Sequence, residues 1–346
     1  MFGRPSLSVR PSLGVLVMTS KKSAKLDCEL AAVVRRSRAV NAAVCSDDMA
    51  GKILAALELG NALPTRKKGT KEFEEVDAAT VWKGVQRLDT LRVDRVSARP
   101  GGDAILKALQ NCSEADEDEA HWAGEDAELL DAVVRDDLEE PRINVMRAVD
   151  PFNPVALLTP LSEEPLAAVA AEDIEVGEPI APYLGDLTLS DDPILQGDSN
   201  TYLYELDMAM LKLRGYKGVA KQHLRVDASR AGGEARFIND KWAPAGLPAR
   251  SANCYIELIF DGETKDFFLV FFASKRIPKG KEIIADYGPD YWRVARSVLL
   301  RAHREEIQKH EAKSVGVATE ASSISGKATA KRCAASASSR AKRTKR

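Results

Sequence analysis

Apolar positions along this chain change their period near its midpoint. Over residues 26–112, stretches such as "CELAAVVRRSRAV" and "DDMAGKILAALELGNAL" place them three and four apart, the spacing of helices with one buried face. Asp47-Asp48 stand where an N-cap for the second stretch belongs. A basic loop, "PTRKKGTKE" (64–72), leads to "AATVWKGVQRLDTL" and, past Gly101-Gly102, to "DAILKALQN". The pattern predicts a small helical bundle. From about Leu166 the chain turns to short β-branched and aromatic runs cut by Gly, Pro and Asp, among them "LAAVAAEDIEVGEPIAPYLGDLTL", "SNTYLYELDM", "HLRVDAS" and "KEIIADYG". Asp261-Gly262 between two apolar runs signals a hairpin, and "FFLVFFA" (267–273) reads as a buried strand. Helical spacing returns over 290–309. The expected class is α+β: a mostly-β domain of small stacked sheets over 161–310, closed by a C-terminal helix and preceded by the helical module.

Charge is distributed unevenly, which the formal net charge of −2 over 346 residues hides. Residues 113–140 hold thirteen Asp/Glu against Arg135 alone. With the Pro-punctuated "PFNPVALLTP" (151–160), the span 113–160 reads as an acidic segment and linker, or as a docking patch for a basic tail. Residues 1–25 carry Arg, Lys and Ser without an acid, as a disordered start or an organelle transit segment would. The tail 311–346 ends in "KRCAASASSRAKRTKR", two basic clusters around a small-residue spacer. Such a tail is expected to be disordered and suits an import receptor or nucleic acid. The expected location is therefore the nucleus, with an organelle as the alternative. Five scattered cysteines without a C-x-x-C spacing argue against a disulfide framework or a cysteine zinc site. No metal is expected. No apolar run nears the ~20 residues of a membrane helix, so no membrane partner is expected; oligomeric state is left open.

Four segments in order then resemble the SET domain of protein lysine methyltransferases. "AAEDIEVGEPIAPYLGDL" looks like its opening strands, ending in Tyr183, Gly185 and Asp186, and "YLYELD" (202–207) like the next strand. "VDASRAGGEARFIND" resembles the Ala-Arg-Phe-Ile-Asn signature, and "RIPKGKEIIADYGPDYW" the closing Asp-Tyr-Gly. The resemblance covers residues 165–293 and implies a fold with a pseudoknot, in which the Asn-bearing segment threads beneath a neighbour. It also implies transfer of a methyl group from S-adenosylmethionine to a lysine on a protein substrate, a histone tail first. In the N-terminal part, Leu54, Leu57, Leu63-Pro64-Thr65, Val81, Val85 and Leu88 resemble the N-terminal domain of transcription elongation factor S-II; an unrelated bundle is the alternative.

The chemistry explains the residue types. Presenting a lysine amine neutral near pH 7.5 costs about 4 kcal/mol from a reference pKa of about 10.4. A narrow apolar channel supplies that by desolvating the ammonium, and the amine must then meet the methyl in line. By resemblance Tyr287 is the catalytic tyrosine and Tyr183 lines the lysine channel. Leu166, Ala167, Tyr202, Arg236, Phe237, Asn239, Asp240 and Trp292 are the implied cofactor contacts, with Trp292 over the adenine. Ala285, two residues before Tyr287, leaves room for more than one methyl.

Departures from the family pattern are specific. Its Gly-x-Gly reads Pro165-Leu166-Ala167, and its Asn-His reads Asn239-Asp240. Ala252-Asn253-Cys254 resembles the displaced end of that motif, which implies an insertion of about eight residues in the knot. After Trp292 the chain has no cysteine but Cys333, so the zinc-bound cap of some relatives is absent and the C-terminal helix would have to close the channel. The insert 208–223 falls where substrate contacts vary, and its Lys212, Arg214, Lys217 and Lys221 suit nucleic acid or solvent. Two other readings stay open: a silent SET module acting as a chromatin scaffold, and a SET enzyme for a non-histone substrate.

Overall fold

The computed structural model describes residues 20–40, 48–98, 102–110, 125–135, 141–189, 202–206, 224–244, 246–260, 267–288, 291–292 and 295–312. Residues 1–19 and 313–346 of the two tails, Asp47, the whole 208–223 insert with its Lys212, Arg214, Lys217 and Lys221, and the 261–262 turn lie outside them. In chain order the elements are α1 (Ser20–Val40), α2 (Asp48–Leu59), β1 (Phe73–Glu75), α3 (Ala78–Val81), β2 (Gln86–Arg87), α4 (Asp94–Ser97), α5 (Gly102–Gln110) and α6 (Glu125–Arg135). There follow β3 (Ile143–Ala148), α7 (Pro154–Leu158), β4 (Leu166–Ala170), β5 (Pro179–Pro182), β6 (Asp186–Leu189), β7 (Leu203–Glu205) and β8 (Leu224–Asp227). The last are β9 (Ala231–Gly232), β10 (Asn239–Asp240), β11 (Cys254–Phe260), β12 (Phe267–Ala273) and β13 (Ile284–Ala285), then helix α8 over 295–312.

The α+β expectation matches. Among the described residues the sheets run β1-β3-β4, β11-β12-β5 and β6-β8-β7, with two-stranded pairs β2-β9 and β10-β13. The β11–β12 register, Cys254↔Ala273 through Phe260↔Phe267, is that of the hairpin read from Asp261-Gly262. "FFLVFFA" is β12, buried at six of seven positions because α6 covers one face and the main core the other. That core gathers Ile143, Ala168, Ile174, Ile180, Phe237, Ile238, Phe271 and Ile283. Burying such side chains contributes about 1.5–3 kcal/mol each before entropy is counted.

The N-terminal half is not one helical bundle. Among the described residues α1 packs on α2 and α4 on α5, and α1 and α2 share a core with Leu157 of α7, Leu247 and Leu300 of α8. The residues likened to the S-II domain scatter: Leu54 and Leu57 lie there, Val81 joins the main core, and Leu88 packs on Leu184 and Ala231. Between them the chain donates strands to the β part, β1 beside β3 and β2 parallel to β9. Arg92 and Arg95 then reach the buried carboxylate of Asp186, at 2.5 and 3.2 Å. "FEE" and "QR" are too short and polar to show a strand period. The acidic segment also holds more than a linker. In α6 the apolar Leu130 and Val134 sit on Val270 and Phe272, while Glu128 and Asp131 face outward.

Between Tyr183 and Asp186 the chain passes tightly at Gly185. A Cβ there would lie 2.6 Å from the Asp227 carbonyl oxygen and 2.9 Å from Val226, in backbone pinned by Asp186↔Asp227 pairing. Gly185→Ala is expected to destabilise by about 1–3 kcal/mol, lowering the melting temperature by roughly 3–10 °C. Gly51→Ala, mid-helix in α2 with nothing within 4 Å of its new methyl, is expected to stabilise by about 0.5–1 kcal/mol. Equal melting temperatures in the two variants would refute the packing account.

Candidate active site

Strand β10 pairs in parallel with β13, Asn239 beside Ile284 and Asp240 beside Ala285. Lys241 N–H extends the pairing to the Ala285 carbonyl at 2.8 Å. On the other flank Asn253 clamps the same strand. Its backbone N–H donates to the Ile284 carbonyl (2.8 Å), its Nδ2 to the Glu282 carbonyl (2.9 Å), and its Oδ1 accepts from Ile284 N–H (2.7 Å). Residues 282–285 are thus held between 239–241 and 253, a threaded segment with a neighbour on each side.

The segment after the thread delivers Tyr287. Its hydroxyl donates to the Ile238 carbonyl, just before β10. The Tyr183 hydroxyl donates to the Tyr202 carbonyl at 2.7 Å. Both rings are half-buried against the core that holds Phe271, Ile238 and Ala285, and Tyr291 packs edge-on against Tyr287 at 4.7 Å. Burial raises the Tyr287 hydroxyl well above the ordinary phenol range, with Tyr291, Tyr183 and the Asp240 carboxylate adding to it. Burial likewise raises Tyr183, although Arg236 acts in the opposite sense. Both are neutral, and with their protons committed to carbonyls their oxygens present lone pairs.

Asp240 gathers three donors. Its Oδ1 accepts from Trp242 N–H (2.7 Å) and from Trp292 Nε1–H (2.6 Å), and its Oδ2 accepts from Tyr287 N–H. Charge-assisted bonds of this kind are stronger than neutral ones. Trp242 and Trp292 stack with centroids 4.0 Å apart. The carboxylate therefore ties the knot, the tyrosine and the tryptophan pair into one unit.

The other anticipated residues take different places. Asn239 is half-buried, and its Nδ2 reaches the Leu166 carbonyl (3.2 Å) and Glu282 (3.3 Å). Tyr202 lies under the Arg236 guanidinium, 4.2 Å from its centroid. Arg236 itself turns inward, donating to the Ala228 carbonyl at 2.9 Å, and Phe237 meets Trp82 edge-on in the core. Trp292 is engaged by Trp242 and Asp240. Trp242, Tyr291 and the Ile238 carbonyl escaped the sequence reading; an aromatic pair flanking the family's two signature ends, Trp242 and Trp292, was the available signal.

An adenosyl sulfonium needs acceptor oxygens near its methyl and room along the threaded strand. Lone pairs on Tyr287 and Tyr183 supply the first. Ala167, standing for glycine, is fully buried and packs against protein. Asn239 sits at the edge of β10 facing Leu166. The residues present fit such a group.

A family model described as SET domain matches residues 166–288. Among curated proteins, histone-lysine N-methyltransferase 2D of Homo sapiens is 31% identical over 127 residues, 36% of this chain and 2% of that protein. The Mus musculus protein of the same name matches equally. This chain thus spans only a small fraction of those relatives. Among solved structures, the Chaetomium thermophilum polycomb repressive complex 2 matches with TM-score 0.32 and 21% identity, over 46% of this chain and 17% of that one. KRYPTONITE in complex with mCHH DNA, H3(1-15) peptide and SAH matches with TM-score 0.29 and 21% identity, over 45% and 26%.

Removing the Asp240 carboxylate leaves three N–H donors without their acceptor. Asp240→Ala is expected to cost about 3 kcal/mol and to shift tryptophan emission to longer wavelength as Trp292 loses its tie. Asp240→Asn, which keeps Oδ1 but turns an NH2 toward Tyr287 N–H, should fall between. Denaturant melts followed by fluorescence measure both; an Asp240→Ala protein as stable as the parent would refute the clasp.

Proposed function

We propose that this chain, whose residues 166–288 match the SET domain model, is a protein lysine N-methyltransferase using S-adenosylmethionine. The observation that carries the reading is the pair of half-buried tyrosines, Tyr287 on the Ile238 carbonyl and Tyr183 on the Tyr202 carbonyl. Phe271, Tyr204 and Tyr291 surround them. When bound, S-adenosylmethionine supplies a methyl group activated by its sulfonium. The aromatic walls strip water from a lysine side chain, which favours the neutral amine. The Tyr287 and Tyr183 oxygens accept from the amine N–H groups, turning the nitrogen lone pair toward the methyl and aligning the attack. Tyr202, Asn239, Leu166 and Asp240 hold the cofactor side of the site in this reading. The acceptor is a lysine on a histone or another chromatin protein, the basic tail adds nucleic-acid or import-receptor contact, and the protein works in the nucleus.

Calorimetric titration with S-adenosylmethionine is the first test, since a silent scaffold would give no heat. Tyr287→Phe should then reduce methyl transfer by about 100-fold or more while cofactor affinity changes less than about threefold. An unaltered rate removes Tyr287 from its role. Because both phenols are raised above the ordinary range, only the lysine amine titrates between pH 7 and 9.5. The value of kcat/KM should climb by about tenfold per unit below the amine pKa of about 10.4; a bell with a fall before pH 9 would contradict it.

Ala285 is buried beside Tyr287 in the same core and brings only a methyl group. Mass spectrometry of products should find di- and trimethyl lysine, and Ala285→Phe should shift them to monomethyl by about tenfold or more, a crowding cost of roughly 1–3 kcal/mol. Monomethyl product from the parent would overturn this.

A further inference from the structure

Helices α1 and α8 run side by side in the same direction, because Asp27 meets Arg296 at 3.1 Å and Ser37 meets Glu306 at 2.7 Å. Two exposed pairs, Arg304–Glu29 and Arg36–Glu311, each at 2.8 Å, flank them. Exposed pairs contribute little. The Asp27–Arg296 pair is different, with side chains 9% and 11% exposed. Its guanidinium also lies over the Trp242 ring, 5.0 Å from the centroid, within the range of a cation–π contact. Trp242 stacks on Trp292, Trp292 donates to Asp240, and Asp240 accepts from the backbone N–H of Tyr287. An unbroken series of contacts leads from α1 to the candidate catalytic tyrosine.

A second observation points the same way. The loop between Asp240 and Asn253, where the family motif is extended, leans on the α1–α2 hairpin. Trp242, Ala243 and Leu247 join the core of Leu54 and Leu57, and a Cβ on Gly246 would come 2.9 Å from Leu57 Cδ2. The extension is not a free loop. It is bound on one side by the N-terminal helices and on the other by Trp292.

We propose that Asp27 is a positioning residue for the site, reaching it through Arg296. Its carboxylate holds the guanidinium over Trp242, which keeps the Trp242–Trp292 stack registered against Asp240 and the Tyr287 backbone. The α1–α2 hairpin and α8 together back the 242–247 loop and so the Trp242–Trp292 stack. The kinetic part of this inference rests on the methyltransferase reading; the linkage itself does not.

The full-length protein carrying Asp27→Asn tests it with two readouts. In the ligand-free protein, the circular-dichroism couplet of the coupled indoles should lose at least about half its amplitude, since the stack depends on 4 Å contact. With S-adenosylmethionine, KM should rise about tenfold, roughly 1.4 kcal/mol, while kcat changes less than about threefold. Arg296→Lys, which keeps a charge for Asp27 but loses the planar group, should reproduce both effects, and decides the matter where Asp27→Asn does not fold. Asp27→Glu should recover most of the couplet. An unchanged couplet with unchanged KM overturns the proposal, and so does an equal loss in Glu29→Gln, which breaks only an exposed pair. A parent protein that neither binds S-adenosylmethionine nor transfers methyl groups defeats the enzyme reading instead, and the couplet still judges the linkage.

Discussion

The parallel pairing of Asn239-Asp240 with Ile284-Ala285 is the constraint on which the site depends. Two residues a side cannot hold themselves in water, and the partners are 45 positions apart in sequence. Side chains supply what the ladder lacks. Asn253 grips Ile284 and the Glu282 carbonyl from one flank, and Asp240 grips the Tyr287 backbone from the other. Glu282 meanwhile accepts from Asn153 and Asn239 and pairs with Arg250 at 2.7 Å. Every one of these contacts joins segments far apart in the chain, so each also closes a loop whose entropy must be repaid. The short ladder is held from both flanks by side chains, and Tyr287 is tied into the same network through its backbone N–H.

Asp240 shows why a departure from a family motif should be judged with its neighbours. A carboxylate is acceptor-only and offers two oxygens, while an imidazole accepts at one nitrogen at most. Three N–H donors converge on position 240 here, two of them from tryptophans that stack on each other. The aspartate and the tryptophan pair form a consistent set. Read alone, the acid suggests a damaged site; read with Trp242 and Trp292, it is the piece that joins them.

The chain disclosed its β half more readily than its first hundred residues. Strands such as Phe267–Ala273 and Cys254–Phe260 are seven residues long, and their composition and bounding turns are local signals. The tyrosines, Asn239 and Asn253 were legible because four motifs occur in order. By contrast, Phe73–Glu75 and Gln86–Arg87 become strands only because β3 and β9 offer edges to them. Nothing in "FEE" or "QR" encodes that. Helix α6 was obscured by its charge: acids dominate the count, while Leu130 and Val134, a turn apart, decide where it packs. The role of Trp242 was hidden for a third reason. Its partners, Trp292 and Arg296, lie some fifty residues away, and stacking has no sequence period.

One environment can serve both sides of the proposed chemistry. Desolvation penalises whichever form of a group is charged. For a phenol that is the ionised form, so burial raises Tyr287 and Tyr183 and keeps them neutral. For a lysine it is the protonated form, so the same surroundings lower the amine toward the roughly 4 kcal/mol that deprotonation near pH 7.5 requires. A phenolate in the channel would undo this, because an anion beside the amine favours the ammonium. Committing each hydroxyl proton to a backbone carbonyl, Ile238 for Tyr287 and Tyr202 for Tyr183, prevents that outcome. It also leaves the oxygens as acceptors that bind an amine through its N–H groups and keep its lone pair free to attack.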